Sequence, residues 1–441
     1  METTFSKKFN FFQFLKFVLP AIASMVFLSL YTIIDGIFVS NLVGADALAS
    51  INIILPLTSF IWGVSIMFGT GGGAIISKFL GEENLKEASE SMSLFTFFPV
   101  LLGVIFGALG FIFIEDLSYA LGATNNLISY CIPYGSIICI FTPIFIFKTI
   151  LEFYIRSDGN FSFSLFLSII GGVINIILDY VFIKILGFGI AGAALATGFG
   201  VLFSTLCGIG YFLSKKSTLK FKKFKFDFKR LYEAMLNGSS EMVTELSTGI
   251  TTFLFNLLAL KYAGETGVAA LTIVLYAQFF LVSTYLGFAT GISPLFSYNF
   301  GAQNYPKLKE TFKHSIKFLA LSSVLIFILS IVFSKNLIGI FVSSDNEVFS
   351  IALTGLLIFS LSFLVMGFNV FASGLFTSFG NGIISSIISF SRAFAFILIG
   401  AAFLPNLFDL NGVWLIVPFA ETLTLALSFY LIKKYKSKYN Y

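Results

Sequence analysis

The stretch FVLPAIASMVFLSLYTIIDGIFVSNLV, residues 17–43, contains one charged residue, Asp35. A helix needs about 20 mostly apolar residues to cross a bilayer, and this stretch is long enough. A carboxylate at membrane depth costs about 3 kcal/mol, so such acids face a cavity or a partner group and mark the path of an ion or a substrate. The stretch predicts a membrane-spanning first helix with a functional acid near its far end.

The rest of the chain is similarly apolar. Its 441 residues are 57% hydrophobic and 11% charged, with a mean hydropathy of +0.95, whereas soluble domains are about 25% charged. Apolar blocks of bilayer length recur between short polar breaks, which predicts an all-α integral membrane protein with 12 transmembrane helices. We place these helices at residues 12–43, 47–79, 92–114, 126–155, 161–185, 189–213, 231–262, 267–298, 312–333, 347–376, 383–404 and 411–433.

Basic residues are distributed unevenly between the two sides of the predicted membrane. Of the 27 Lys and Arg residues, two lie within spans and 22 fall on one side, Lys7 and Lys8 among them. The three on the opposite side are Lys184, Lys261 and Lys335. By the positive-inside rule, the 22 lie in the cytoplasm. The sequence therefore predicts a multi-pass protein of the cell membrane with both termini cytoplasmic.

Few side chains suit catalysis. The single histidine, His314, falls at a predicted helix start, and the three cysteines fall inside predicted spans, where we expect them to be apolar fillers. Neither residue type is spaced as a metal-ligand set. We predict a protein that is not an enzyme and that carries no cofactor and no structural metal.

The two halves of the chain repeat one design. A shift of 220 positions sets residues 20–84 against the seventh and eighth predicted helices without a gap. It pairs FGTG at 68–71 with FATG at 288–291, and a shift of 221 pairs DGN at 158–160 with FGN at 379–381. Because each half has an even number of helices, the halves are expected to be parallel and related by an axis along the membrane normal, which is a plan of transporters.

A basic segment separates the halves. Residues 214–230 interleave lysines with four phenylalanines. Aromatic residues among lysines could bind RNA, but beside a membrane the pattern favours a connector that lies on anionic lipid. We expect an amino-terminal six-helix lobe at 1–213, a cytoplasmic linker at 214–230, a carboxy-terminal six-helix lobe at 231–441 and no nucleic-acid partner.

A second intramembrane acid lies on the fifth predicted helix. Asn175 and Asp179 are four residues apart and share a helix face. Asp179 lies about 27 Å from the cytoplasmic start of this helix, so it occupies the outer half of the membrane, as Asp35 does. The two carboxylates could share a proton or chelate a monovalent cation such as Na⁺. The alternative is an interfacial Asp179 that pairs with Lys184.

The second half lacks this set, since Phe255 stands where the first half has Asp35. Thr197 on the sixth helix offers either a hydroxyl to the site or a small residue for helix packing. Glu241 and Glu245 open the seventh predicted helix, where acids also suit the helix dipole.

Other charged residues within spans leave two interpretations open. Lys148, Glu152 and Arg156 follow one another at four-residue intervals, which predicts an ion-paired stripe on one helix face. Alternatively, Glu152 meets a cationic substrate that enters from the cytoplasm. Arg392 and Glu421 could be mutual counter-ions.

These features together resemble the multidrug and toxic compound extrusion (MATE) family and look closest to its MepA-like bacterial branch. The resemblance covers residues 10–435. It rests on the stretches YTIIDGIFVS at 31–40, IRSDGN at 155–160, NIILD at 175–179, FN at 255–256, GISPLFSYNFGA at 291–302 and AE at 420–421.

This resemblance implies two six-helix lobes that form a V and drug export coupled to inward movement of H⁺ or Na⁺. It implies a cation-coupling site at Asp35, Asn175, Asp179 and Thr197. It also implies a substrate site formed by the following side chains: Glu152, Asp35, Asp179, Asn256 and Gln278. Glu152 takes a place where other branches of the family often carry a neutral polar residue.

The leading hypothesis is a monomeric, cation-coupled antiporter that exports amphipathic, mostly cationic drugs, with acids attracting the charge and aromatic rings stacking on it. The alternative is a lipid-linked saccharide flippase on the same kind of repeat. Such a flippase handles a pyrophosphate and should line its cavity with basic residues, for which only Lys148 and Arg392 are candidates. A passive channel is less consistent with duplicated halves.

Overall fold

The computed structural model describes Phe5 and residues 10–441, without the side chains of residues 37, 40, 41 and 45. Lys7 and Lys8 lie outside the described residues. Throughout the described part of the chain the regular elements are helical. The first half contains α1 (Phe11–Leu42), α2 (Ala45–Gly81), α3 (Leu85–Ile112), the short α4 (Ile114–Ala120), α5 (Ile128–Ser157), α6 (Phe161–Asp179) with a following π-helical segment (Tyr180–Ile185), and α7 (Gly189–Leu213).

The second half begins after a non-helical connection. It contains α8 (Phe228–Gly301), α9 (Tyr305–Val332), the short α10 (Ser334–Gly339), α11 (Glu347–Phe359), a 3₁₀ turn (Ser360–Ser362), α12 (Phe363–Ser378), α13 (Gly382–Phe390), a second π-helical segment (Ser391–Ala395) and α14 (Phe396–Tyr439).

Ten helical segments are long and apolar enough to cross a membrane, and two of them are double. The backbone of α8 leaves helical geometry at Gly264, where φ is 62°, and α14 does so at Phe408 and Asp409. A straight α8 of 74 residues would be about 110 Å long, several times the thickness of a bilayer core. Divided at these breaks, the ten segments give twelve spans, and the predicted all-α fold with 12 spans is confirmed.

The internal repeat is visible in the helix starts. Asn84 and Asn304 cap α3 and α9, while Asn160 and Asn381 cap α6 and α13. In each case the side-chain oxygen accepts a hydrogen bond from the backbone N–H three residues later, which satisfies a donor that the helix itself cannot pair. These are the asparagines that the shifts of 220 and 221 align.

The helices pack around two hydrophobic cores. One consists of first-half residues together with the start of α8, and the other is built mainly from the second half. Phe14, Val18 and Ala21 of α1 belong to the second core, so α1 connects the two halves. The domain boundaries at 213 and 231 stay a prediction, because packing continues across them.

The halves approach each other most closely at the end of the molecule where α2 and α8 finish, which we call the closed end. A Cβ on Gly238 would lie 1.9 Å from the carbonyl oxygen of Met67, and one on Gly301 would lie 2.2 Å from that of Lys78. Only glycine allows such a backbone approach. By contrast, a Cβ on Gly249 or Gly264, further along towards the opposite end, would meet nothing within 4 Å.

Candidate cation and substrate site

The acid of α6 stands at a change of helix geometry. Asp179 is the last α-helical residue before the π-helical segment Tyr180–Ile185, and such segments are frequent at functional sites. Asn175 and Asp179 are 3% and 0% exposed, so the four-residue spacing does place both on one buried face. The fold brings α1 and α7 against this helix.

Asp35 of α1 meets Asp179. The two carboxyl groups interact directly with each other, although they are 144 positions apart in the sequence. Apart from this contact between the two acids, Asp35 Oδ1, both carboxyl oxygens of Asp179 and Asn175 Oδ1 are buried without a hydrogen-bonding partner among the described residues. Buried carboxylates are normally hydrogen-bonded, and two like charges at short range in a dry site are costly unless a proton or a cation lies between them.

The amide of Asn175 is oriented by α7. Asn175 Nδ2 donates to Thr197 Oγ1 at 3.2 Å, and Thr197 Oγ1 donates in turn to the carbonyl oxygen of Ala193 at 3.0 Å. The close approach of α6 and α7 depends on Gly200, since a Cβ there would lie 2.7 Å from the Gly171 carbonyl oxygen. With its nitrogen held by Thr197, Asn175 presents its oxygen beside the two acids.

Three tyrosines lie close enough to Asp35 to interact with its charge, and none of them is among the predicted site residues. They are Tyr31, Tyr134 and Tyr276. Tyr31 is four residues before Asp35, a spacing that the sequence displays. Tyr134 on α5 and Tyr276 on α8 had no such signal, because only the fold brings them near. Tyr276 belongs to the second half, so Asp35 lies close to both halves of the molecule.

Glu152 is an ion-paired side chain in a nearly buried position. Its Oε1 lies 2.9 Å from Lys148 Nζ and accepts a hydrogen bond from Ser168 Oγ at 2.8 Å. Glu152 is 7% exposed. The predicted ion pair of α5 is therefore present between Lys148 and Glu152.

Arg156 departs from the predicted stripe. Instead of joining Glu152 in a direct ion pair, it donates from Nε to Ser164 Oγ at 2.9 Å and from Nη1 to Thr290 Oγ1 at 3.3 Å. Thr290 lies on α8, so the guanidinium joins the two halves. The stripe prediction is wrong for Arg156 because close packing at the closed end offers this side chain, which is 2% exposed, hydroxyl acceptors from two other helices.

The alternative pairing of Asp179 is not seen among the described side chains. Lys184 is exposed, and its ammonium lies 5.1 Å from the centre of the Tyr180 ring. In the second half, Arg392 Nη1 lies 3.6 Å from Glu421 Oε1, so these residues are mutual counter-ions as predicted. Glu421 Oε2 also accepts from Asn369 Nδ2 at 2.7 Å.

The helix-dipole interpretation of Glu241 and Glu245 is wrong. Helix α8 begins at Phe228, so both acids lie several turns inside it, beyond the reach of the terminal dipole. The half-buried Glu241 lies near enough to Arg392 to interact with its charge, although the direct ion pair of Arg392 is with Glu421.

Two predicted substrate residues, Asn256 and Gln278, lie on α8. Asn256 and Gln278 are half-buried on either side of the break in α8, and no contact among the described side chains joins them to Asp35 or Asp179. Two apolar grooves of about 370 and 320 Å³, between α3 and α5 and between α6 and α7, contain none of the predicted site residues.

A duplicated twelve-span bundle with interacting buried acids in one half has the construction of a secondary transporter. The MatE family model matches residues 20–181 and 242–402, and the chain belongs to this family. The second match begins within two residues of the position that a shift of 220 gives for the start of the first.

Curated relatives and solved structures cover nearly the whole chain. The multidrug export protein MepA of Staphylococcus saprophyticus is 27% identical over 93% of this chain and 89% of that protein. MepA of Staphylococcus haemolyticus is 26% identical over 98% of this chain and 96% of that protein. A structure described as the outward-facing conformation of a multidrug resistance MATE family transporter superposes with a TM-score of 0.90 at 23% identity, over 96% and 95% of the two chains. A transporter from Pyrococcus furiosus gives 0.91 at 22% identity, over 97% and 96%.

Proposed function

We propose that the chain is a multidrug export transporter that moves amphipathic, mostly cationic compounds out of the cell in exchange for H⁺ or Na⁺. The observation that carries this proposal is the interaction between the half-buried Asp35 and the buried Asp179, with three of their carboxyl oxygens and Asn175 Oδ1 buried without another hydrogen-bonding partner among the described residues. Such a pair is costly when both acids are charged, and a cation relieves the cost.

The size of this effect is sufficient for coupling. Two unit charges about 4 Å apart at an effective dielectric constant of about 20 repel by about 4 kcal/mol, and about 1.4 kcal/mol corresponds to a factor of ten. Binding of one proton or one Na⁺ therefore removes a repulsion worth nearly a thousandfold in affinity. Typical coupling free energies between ligands are 1 to 3 kcal/mol, that is, about 5- to 150-fold, so this repulsion exceeds what antiport requires.

In this mechanism the cation and a cationic drug compete for the same negative charge. A cationic drug bound near Asp35 offsets one of the two negative charges, and an entering H⁺ or Na⁺ held by Asp35, Asp179 and the oriented Asn175 supplies the same single positive charge and so displaces the drug. Thr197 serves by fixing Asn175. Tyr31 and Tyr276 supply aromatic faces from both halves, on which an organic cation can stack.

The remaining parts of the proposal concern substrate contacts and placement. Glu152, Asn256 and Gln278 would contact the substrate together with Asp35 and Asp179. The protein would reside as a monomer in the cell membrane with both termini in the cytoplasm, because 22 of its 27 basic residues fall on that side.

A saccharide flippase is not favoured. Lys148 is paired with Glu152 and Arg392 with Glu421. The buried Arg156 of α5 is hydrogen-bonded to Ser164 and Thr290, so all three side chains already have partners within the protein. The test is purified protein in liposomes loaded with a fluorescent organic cation, with an imposed pH gradient or an imposed Na⁺ gradient. We expect one gradient to drive drug movement. Movement of a lipid-linked saccharide without any gradient response would reject the proposal.

A further inference from the structure

The connection between the halves lies along one helix in a regular register. Residues 218–229, which we call the strap, have no helix before Phe228. The backbone N–H of Lys220 donates to Ser89 Oγ at 3.4 Å and that of Lys222 to Ser93 Oγ at 2.8 Å. The ring of Phe224 then lies 5.8 Å from that of Phe97.

The spacing between successive contacts is nearly the same along the strap and along α3. Contacts advance by two residues along the strap and by four along α3. Two extended residues span about 6.6 Å, and four helical residues span about 6 Å. An extended chain can therefore follow this helix closely, and Phe224, Phe226 and Phe228 recur at every second residue, the period at which an extended chain presents side chains to one face.

Both ends of the strap are fastened to the first half. At its start, the Asp158 carboxylate accepts hydrogen bonds from Thr218 N at 3.1 Å, Leu219 N at 3.0 Å and the Tyr211 hydroxyl at 2.7 Å. At its end, Arg230 Nη1 lies 2.6 Å from Glu87 Oε2. The strap is held at a fixed depth on α3.

That depth is the boundary between polar and apolar parts of α3. Residues 85–93 read LKEASESMS, and residues 94–106 read LFTFFPVLLGVIF. Phe97 lies just inside the apolar part, and the ring of Phe226 lies 6.3 Å from that of Phe98. Phe97 and Phe226 are 55% and 60% exposed, which places exposed rings where the hydrocarbon of a bilayer begins.

The lysines beside these rings are exposed, and their ammonium groups form no ion pair or hydrogen bond with the part of the chain that the structure describes. Lys222, Lys223 and Lys225 all have exposed side chains. By contrast, the Lys220 ammonium donates to the carbonyl oxygens of Phe212 and Ser214, at the end of α7.

Acids near the start of α3 already have basic partners. Glu87 pairs with Arg230, and Glu90 lies 3.9 Å from Lys86. The exposed lysines of the strap are therefore available to negative charge outside the protein.

We propose that the strap and the adjoining face of α3 form a binding site for anionic phospholipids at the membrane surface. Lys222, Lys223 and Lys225 contact the phosphate groups, and Phe97 and Phe226 lie among the first methylene groups of the acyl chains. Aromatic rings and lysines occupy these depths at membrane interfaces, and a lysine near an anionic surface strengthens attraction about fivefold. This site is independent of the proposed transport cycle.

The test counts lipids that stay with the purified full-length protein. The protein is reconstituted into vesicles of phosphatidylglycerol and phosphatidylcholine in equal amounts and extracted, and the retained lipids are quantified by mass spectrometry. The variant Lys222→Gln/Lys223→Gln/Lys225→Gln should lose phosphatidylglycerol enrichment at least tenfold. The matched control Lys184→Gln/Lys261→Gln/Lys335→Gln removes three exposed lysines elsewhere and should keep the enrichment.

Two further arms keep the proposal falsifiable. Replacing the same three strap lysines by arginine retains charge and should retain phosphatidylglycerol, which separates loss of charge from misfolding. Inorganic phosphate added during extraction should not displace the lipid. Equal enrichment in the glutamine variant and the wild type, loss of enrichment in the arginine variant, or displacement by phosphate alone would each overturn a phospholipid site on the strap.

Discussion

Replacing Glu152 by glutamine separates an ion pair from a substrate contact. Glu152 Oε1 lies 2.9 Å from Lys148 Nζ, and the two side chains are 9% and 13% exposed. At this distance and an effective dielectric constant of about 20, the gross attraction is about 6 kcal/mol. Removing one partner of a buried pair costs about 3 to 5 kcal/mol, because the remaining charge is left uncompensated.

A double variant that removes both charges separates the effect of Glu152 on stability from its effect on transport. Glu152→Gln should lower the free energy of unfolding by about 3 kcal/mol. Lys148→Met combined with Glu152→Gln removes both charges and should restore stability to within about 1 kcal/mol. Thermal unfolding in detergent measures the stability of each variant, and drug efflux from cells or liposomes measures its transport activity.

The double variant decides the role of Glu152. If Glu152 contacts cationic drugs, the stable double variant should still export divalent cations several times more slowly than the wild type, while export of monovalent drugs changes less. The single variant Lys148→Met controls for loss of the lysine. Full recovery of divalent export in the double variant would refute the substrate contact and leave Glu152 as the counter-ion of Lys148 alone.

Three other predictions address the closed end, the second half and the orientation. Gly238→Leu should push α2 and α8 apart and lower the free energy of unfolding by about 3 kcal/mol, measured by thermal unfolding. Gly249→Leu, where a Cβ meets nothing within 4 Å, should lower it by less than about 0.5 kcal/mol. Equal losses of stability in the two variants would contradict the close packing at Gly238. Asn369→Leu removes two hydrogen bonds to Glu421 and should lower the free energy of unfolding by about 2 kcal/mol. The control Asn406→Leu, at an exposed position, should change it little. An unchanged stability of Asn369→Leu would mean that Glu421 does not need this donor. In a background without native cysteines, cysteines placed at Lys223 and Ser437 should react with an impermeant thiol reagent only from the cytoplasm. A cysteine placed at Asp46 should react only from outside. Reaction of Lys223→Cys from outside would show that the predicted orientation is wrong.

Much of the fold was predictable because membrane spans follow from length and hydropathy. The sequence shifts also align Asn84 with Asn304 and Asn160 with Asn381, and each of these four asparagines caps the start of a helix. The predicted break between the seventh and eighth spans, at residues 263–266, contains Gly264, where the backbone of α8 leaves helical geometry with φ of 62°, because glycine adopts this left-handed conformation at little cost.

The candidate site was predictable only where it follows helical spacing. Asn175 and Asp179 share a face by arithmetic, and Tyr31 could have been added to Asp35 in the same way. Tyr276 and Thr290 could not, since contacts between halves depend on how two bundles dock. Arg156 illustrates the limit: its spacing from Glu152 was right for an ion pair, yet hydroxyl groups on other helices took the guanidinium.

In the proposed mechanism, Asp35 and Asp179 act as one cation site. The decisive measurement is gradient-driven drug export from liposomes by Asp35→Asn, Asp179→Asn and the double variant, alongside equilibrium drug binding. Each single variant should abolish coupled export while some drug binding remains, and the double variant should be no worse than either, because residues that act as a unit are not additive. Appreciable coupled export by both single variants, with losses that multiply in the double variant, would show that the two acids act independently and contradict the single-site mechanism.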